Sequence, residues 1–189
     1  AWEYAAALET DGRTLNVFDY AKEDPYAWLL RQPGLASLDR RSVGHTLPSW
    51  QNFVEHPNYD AFWQAGVTSA RMPAQVRIPD LIVAGWWDQE DFYGPLAIYQ
   101  NQKKGDPHHR NTLVIGPWNH GGWAFGRGHD YGPFDLGSDT GIYFRQEVET
   151  PWFRYWLKGK SAGQLHVPGA LVFETGSNRW RSYDSWPPR

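Results

Sequence analysis

The sequence predicts a domain of the α/β class that is built on a parallel sheet. Two short apolar runs, residues 81–85 and 112–116, lack the alternation of a half-exposed strand. Runs of this kind are typical of strands buried on both faces of a parallel sheet. Between them, Gly94-Pro95 opens a helical stretch that closes at Lys103-Lys104-Gly105, with positive charge at its C-terminal end. This order of strand, helix and strand predicts a βαβ unit.

The flanking segments have a different character. Residues 1–75 predict short helices, with starts at Asp24-Pro25 and at Pro57. Residues 121–139 are rich in glycine and predict a long loop, and residues 140–158 resume helical spacing with a kink at Pro151. From residue 167 onward, Ala170–Phe173 predict the first strand of a further unit.

An ionisable side chain follows each of the two apolar runs: Asp88 comes after Gly85, and His120 after Gly116. Catalytic groups of open α/β sheets gather beyond the carboxyl ends of the strands, so we expect these two side chains on neighbouring strand ends. Asp followed by His matches the last two members of a Ser-Asp-His triad in α/β-hydrolase order. In such a triad the histidine is the general base and the aspartate orients it. The alternative is an aspartate that caps a turn and a histidine satisfied by the backbone.

The nucleophile of such a triad is missing from the sequence. In this fold the serine precedes the aspartate, and no serine before Asp88 lies in a Gly-x-Ser-x-Gly motif. The one match, Gly159–Gly163, comes after His120 and follows a predicted helix instead of a strand, and the chain has no cysteine. The residues before Asp88 also lack the βαβ alternation that would carry this motif. We therefore expect a C-terminal segment of a larger hydrolase that lacks the nucleophile half. A separate chain carrying that half is the other possibility.

Composition excludes several classes of protein. With 18 basic and 21 acidic residues there is no electrostatic case for nucleic-acid binding. No apolar stretch approaches the ~20 residues that span a bilayer, so we expect no membrane partner, and the compartment stays open between cytoplasm and periplasm or exterior. No metal-ligand spacing is recognisable, and we expect neither a metal nor a cofactor. The 12 Trp and 10 Tyr suit a large core, an interface or the walls of a pocket.

Two motifs carry a family resemblance. They are Gly85-Trp86-Trp87-Asp88-Gln89-Glu90-Asp91 and Gly116-Pro117-Trp118-Asn119-His120-Gly121. Both resemble the superfamily of cocaine esterases, Xaa-Pro dipeptidyl-peptidases and α-amino-acid ester hydrolases. The resemblance implies an α/β-hydrolase with a helical cap and a C-terminal jelly roll, in which Asp88 and His120 are the acid and base of the triad. It also implies a small-molecule ester or amide, or a peptide, as substrate.

The resemblance gives each segment an expected identity. Residues 1–75 would be a helical cap segment, residues 76–160 the C-terminal part of the α/β-hydrolase domain, and residues 161–189 the beginning of a jelly-roll domain. Such a partial sheet would expose a hydrophobic edge, so we expect self-association or pairing with the missing half.

The first motif is most similar to the α-amino-acid ester hydrolase branch, which includes cephalosporin and glutaryl acylases. In that branch an acidic cluster receives the substrate's ammonium group, and two of its carboxylates match Glu90 and Asp91. The alternative is that both residues only favour the N-terminus of the following helix. Trp87 and Trp118 are expected to line the substrate pocket, unless they belong to an aromatic core. A competing hypothesis for the whole chain is a non-catalytic, aromatic-rich ligand-binding module.

Overall fold

The computed structural model describes residues 20, 23–42, 47–66, 78–159 and 168–188. The chain forms two compact units, residues 1–67 and residues 68–189. Among the described residues, no helix has the length and apolarity that crossing a bilayer would require.

The first unit is helical in its described part. Its helices are α1 (Pro25–Leu30), α2 (Leu38–Ser42, preceded by a 3₁₀ turn over Leu35–Ser37), α3 (Pro48–Glu55) and α4 (Ala61–Gly66). The predicted start of α1 is confirmed, since Asp24 accepts a hydrogen bond from the Ala27 amide at 3.0 Å. The helix that we expected from Pro57 begins only at Ala61, where the Asp60 carboxylate accepts the amide of Phe62 at 3.0 Å.

The second unit contains the predicted βαβ unit. It consists of β1 (Asp80–Gly85), α5 (Tyr93–Lys103) and β2 (Asn111–Gly116). The two strands are parallel and pair in register from Asp80 opposite Asn111 to Gly85 opposite Gly116. Every residue of β2 is buried, as the unbroken apolar run predicts for a central strand.

Two further strands extend this sheet. They are β5 (Ala170–Glu174), which is parallel to β2, and β6 (Arg179–Tyr183), which is antiparallel to β5, so the sheet order is β1-β2-β5-β6. The strand predicted at Ala170–Phe173 is therefore present, and it belongs to the same sheet as β1 and β2. Its buried residues belong to the same two apolar clusters as those of β2: Ala170 and Val172 lie in one cluster, and Leu171 lies in the other. Pairing there therefore covers apolar surface on both strands.

The described part of the segment that follows β2, residues 117–159, is a loop followed by a helix. The loop carries a hairpin of two short strands, β3 (Asp130–Tyr131) and β4 (Phe134–Asp135), where we expected only irregular chain. The helix runs as α6 (Thr140–Tyr143), a π-helical stretch (Phe144–Glu149) and α7 (Thr150–Lys158). The irregularity predicted at Pro151 takes the form of this widened turn, because proline has no N–H for the i−4 bond.

Candidate active site

The ends of β1 and β2 are held together by backbone contacts. The Trp86 amide donates to Gly116 O at 2.9 Å, and the Trp87 amide donates to Trp118 O at 3.0 Å. A Cβ on Gly85 would lie 2.2 Å from the Trp118 carbonyl oxygen, so only glycine fits at this approach. The two chain segments beyond the strands therefore leave the sheet side by side.

This arrangement brings together Asp88 and His120, the two residues that we expected on neighbouring strand ends. His120 Nδ1 lies 3.2 Å from Asp88 Oδ1 and 3.1 Å from Asp88 Oδ2. The Asp88 side chain is 3% exposed, whereas that of His120 is 50% exposed. A buried carboxylate thus contacts one nitrogen of a histidine whose ring also faces solvent.

Asp88 is fixed by its own loop. Its Oδ1 accepts the amide of Glu90 at 2.9 Å and the amide of Asp91 at 3.0 Å. Burial would raise the pKa of Asp88, but the two amides and His120 outweigh it and the pKa is lowered. The carboxylate is therefore ionised at neutral pH, and in this state it can only accept a proton that His120 Nδ1 donates. Nε2 of the neutral ring then carries a lone pair that can take up a proton.

The two acidic residues after Asp88 have different surroundings. Glu90 is 65% exposed, and its Oε2 lies 3.9 Å from His120 Nε2. Asp91 Oδ1 accepts the amide of Gly94 at 2.6 Å, in the first turn of α5. The Asp91 carboxylate therefore contacts the N-terminus of α5, which was our alternative to a role in substrate binding. Glu90 is the carboxylate that lies beside His120.

The two tryptophans expected to line a pocket also differ. Trp87 stacks on Tyr131 of β3, with ring centroids 4.5 Å apart and planes 6° from parallel. Trp118 is 2% exposed, and its indole N–H donates to Thr140 Oγ1 at 3.0 Å. Trp118 is thus part of the core beneath the strand end and lines no accessible surface of this unit.

Tyr131 is a residue near the site that sequence reasoning missed. It lies in the glycine-rich loop, where no periodicity indicates which side chains face the sheet. The β3–β4 hairpin places its ring against Trp87, and nothing in the local sequence predicts that contact.

His129 lies in the same loop and contacts two carboxylates. Its Nδ1 is 2.8 Å from Asp139 Oδ1, and its Nε2 is 3.5 Å from Asp135 Oδ1. Arg127 also binds Asp139, at 2.7 Å, and Arg127 and His129 together lower the pKa of Asp139. No group of three or more His, Cys, Asp or Glu side chains in the described part of the chain could hold a metal ion.

Comparison with known proteins identifies the family of this chain. The family model for the X-Pro dipeptidyl-peptidase (S15 family) matches residues 2–122, a range that includes both Asp88 and His120. This chain belongs to that family. Cocaine esterase of Rhodococcus sp. (strain MB1 Bresler) is 30% identical over 150 residues, which are 77% of this S15 chain and 24% of the esterase. A putative serine esterase of Mycobacterium bovis is 32% identical over 108 residues, 56% of this chain and 15% of the esterase.

Two solved structures resemble this S15 chain over nearly its whole length. An aminopeptidase from a marine sediment Thaumarchaeota archaeon superposes with a TM-score of 0.86 at 33% identity, covering 98% of this chain and 30% of the aminopeptidase. An α-amino acid ester hydrolase superposes with a TM-score of 0.80 at 28% identity, covering 98% of this chain and 31% of the hydrolase. The matched regions therefore span 15% of the mycobacterial esterase and 24% to 31% of the other three relatives.

Proposed function

We propose that this chain supplies the acid and the base of a serine hydrolase that cleaves esters or amides, with Asp88 as the acid and His120 as the base. The contact between the buried Asp88 carboxylate and His120 Nδ1, at 3.1 Å, carries the proposal. Membership of a family whose matched members include esterases supports it.

The chemistry follows from the two nitrogens of His120. Nε2 takes the proton of a serine hydroxyl while the serine oxygen attacks the substrate carbonyl. The protonated ring, stabilised by the negative charge of Asp88, gives that proton to the departing alcohol or amine. An acyl-enzyme remains, and water activated by the same histidine hydrolyses it, which restores the free serine.

The proposal places the nucleophile outside these 189 residues. No serine before Asp88 has the Gly-x-Ser-x-Gly setting that the α/β-hydrolase fold uses, and the one match, at Ser161, follows His120 and the helix that ends at Lys158. In this proposal the chain forms the last part of an α/β-hydrolase domain, with a helical cap segment before it. The remaining part provides the serine and the oxyanion-binding amides.

A substitution at the proposed base tests this function in the full-length protein that carries the chain. His120→Ala should lower kcat for p-nitrophenyl ester hydrolysis by about 10⁴-fold or more. The matched control is His108→Ala, which removes an exposed histidine in the turn after α5 and should leave kcat unchanged. Equal activity of the His120→Ala variant and the wild type would reject the assignment. A full-length protein that no fluorophosphonate probe labels would instead favour the ligand-binding module.

For the substrate, we infer an acyl group with a free α-amino nitrogen. Glu90 supports this inference, because an exposed carboxylate beside His120 can bind an ammonium group next to the reacting carbonyl. Asp91, which lies just before α5, would add negative charge. Two of the matched structures are named an aminopeptidase and an α-amino acid ester hydrolase.

The substrate proposal is tested with a pair of esters that differ only in the amino group. Glu90→Gln in the full-length protein should lower kcat/KM for phenylglycine methyl ester by about ten-fold or more. It should change kcat/KM for phenylacetic acid methyl ester by less than about two-fold, because that ester has no ammonium group to lose. Equal losses on both esters would mean that Glu90 acts on His120 and not on the substrate.

A further inference from the structure

A second group of polar side chains lies at the other end of β1 and β2. It consists of the first residue of each strand, a residue near the end of α5 and one from the turn that follows: Asp80, Asn111, Gln102 and Asp106. Asp80 and Asn111 are partners in the strand register. The group is separated from the proposed active site by the length of the strands, and its argument does not depend on the hydrolase proposal.

Direct contacts tie the four residues together. Gln102 Nε2 donates to Asp80 Oδ2 at 3.0 Å, and the Asn111 amide donates to Asp106 Oδ2 at 2.8 Å. Asn111 Nδ2 donates to Tyr99 O at 3.4 Å, which leaves its Oδ1 on the opposite side of the amide group. Each donor in the group is therefore used.

Three oxygen acceptors in the group have no partner within the described structure. They are Gln102 Oε1, Asp106 Oδ1 and Asn111 Oδ1, and all three atoms are buried. The Gln102 and Asn111 side chains are only 4% and 5% exposed. Buried polar atoms in native proteins almost always have a partner, so orphaned acceptors on three residues of one group call for a donor or a cation.

The charge of the group favours a cation over a hydrogen-bond donor. Neither Asp80 nor Asp106 forms an ion pair with any described residue. The two carboxylates lie beside two amide oxygens that also carry partial negative charge, and Lys103, in the wall of the adjoining cavity, forms no ion pair with either of them. Carboxylate and amide oxygens are the ligands that Ca²⁺ takes in proteins, with water completing the shell.

A cavity adjoins two members of this group. Asp106 and Asn111 line a cavity of about 700 Å³, whose wall also includes Tyr99, Lys103 and Asp184. A hydrated ion can enter a cavity of this size and exchange part of its water for protein oxygens.

We propose that Asp80, Gln102, Asp106 and Asn111 form a binding site for a divalent cation of the calcium type. The cation would join the start of β1, the end of α5 and the start of β2, and so brace the βαβ crossover from the side opposite Asp88 and His120. From sequence we expected no metal, because the site draws half of its ligands from amides that carry no recognisable metal-binding spacing.

Titration of the chelator-treated 189-residue chain with CaCl₂ in a calorimeter tests the site. The wild type should bind one Ca²⁺ per chain, with a Kd of about 10⁻⁴ to 10⁻³ M, as expected for few charged ligands. Its thermal midpoint should rise with Ca²⁺ concentration. The absence of saturable binding up to about ten times that Kd range would overturn the proposal and assign the orphaned oxygens to buried water.

Two variants locate the bound ion. Asp106→Asn should weaken Ca²⁺ binding by at least about ten-fold, because it removes one of two ligand charges. Asp184→Asn is the matched control: it neutralises an exposed carboxylate in the wall of the same cavity and should change the affinity by less than about two-fold. Equal losses in both variants would indicate general charge attraction to the cavity, and no loss in Asp106→Asn would place the ion elsewhere. The wild-type titration decides the existence of the site even if Asp106→Asn does not fold.

Discussion

Gly85→Ala is the substitution that tests most sharply how close the two strand ends lie. The added Cβ would be 2.2 Å from Trp118 O, 2.8 Å from Trp118 C and 3.1 Å from Asn119 O. All three are backbone atoms, so no side-chain rotation can relieve the contact. The ends of β1 and β2 must move apart by roughly 1 Å to restore ordinary van der Waals separation.

Two effects set the free-energy cost of that movement: overpacking and the strain on a backbone hydrogen bond. Overpacking in a well-packed region costs typically about 1–3 kcal/mol. The movement also stretches the bond from the Trp87 amide to Trp118 O, which is 3.0 Å long, and a hydrogen bond contributes about 1 kcal/mol. We expect the free energy of unfolding to fall by about 2–4 kcal/mol in total.

Urea unfolding of the chain, followed by tryptophan fluorescence, measures this change. The matched control is Gly66→Ala at the end of α4, where a Cβ would meet no atom within 4 Å. Alanine there should be neutral or stabilising by up to about 1 kcal/mol. A Gly85→Ala variant as stable as the wild type would refute the close approach of the strand ends, and with it the geometry of the proposed pair.

Two other substitutions probe the supports of the site. Asp88→Asn should lower the free energy of unfolding at pH 7 by about 1–3 kcal/mol, since it removes a charge that receives three hydrogen bonds. The folded pKa of Asp88 is lowered, so its contribution is present above the unfolded pKa of about 3.9 and lost as the pH falls through the folded pKa. The difference between the two proteins should therefore shrink below about pH 4, and a constant difference from pH 7 to pH 3 would contradict this. Trp118→Phe should cost about 1–3 kcal/mol by calorimetric unfolding, through the lost bond to Thr140 and the space left behind. Trp87→Phe, at a partly exposed position, should lower the free energy of unfolding by less than Trp118→Phe does. A larger loss in Trp87→Phe would contradict the burial of Trp118.

Sequence alone could predict the elements whose burial leaves a clear pattern. The strands β1 and β2 are unbroken apolar runs, and α5 between them has a defined start and end. Neighbouring parallel strands end at the same edge of the sheet. The order of β1 and β2 therefore places Asp88 close to His120. These inferences need only the order of the segments along the chain and the apolar runs that mark buried strands, and both can be read in the sequence.

Other features depend on contacts between distant segments, which local pattern does not contain. The stacking of Tyr131 on Trp87 requires a hairpin inside a loop that has no periodicity. The membership of β5 in the same sheet follows from its pairing with β2, whereas its sequence is compatible with any buried strand. The burial of Trp118 likewise depends on helix α6 providing Thr140 as its hydrogen-bond partner.

The tautomer of His120 tests the central claim most directly. ¹⁵N NMR of the neutral histidine, recorded above about pH 8, distinguishes a proton on Nδ1 from one on Nε2. If Asp88 orients His120 as a base, the wild type should carry the proton on Nδ1, and Asp88→Asn should move it to Nε2. A wild-type ring protonated on Nε2, or a tautomer that Asp88→Asn does not change, would contradict the assignment of this pair as acid and base.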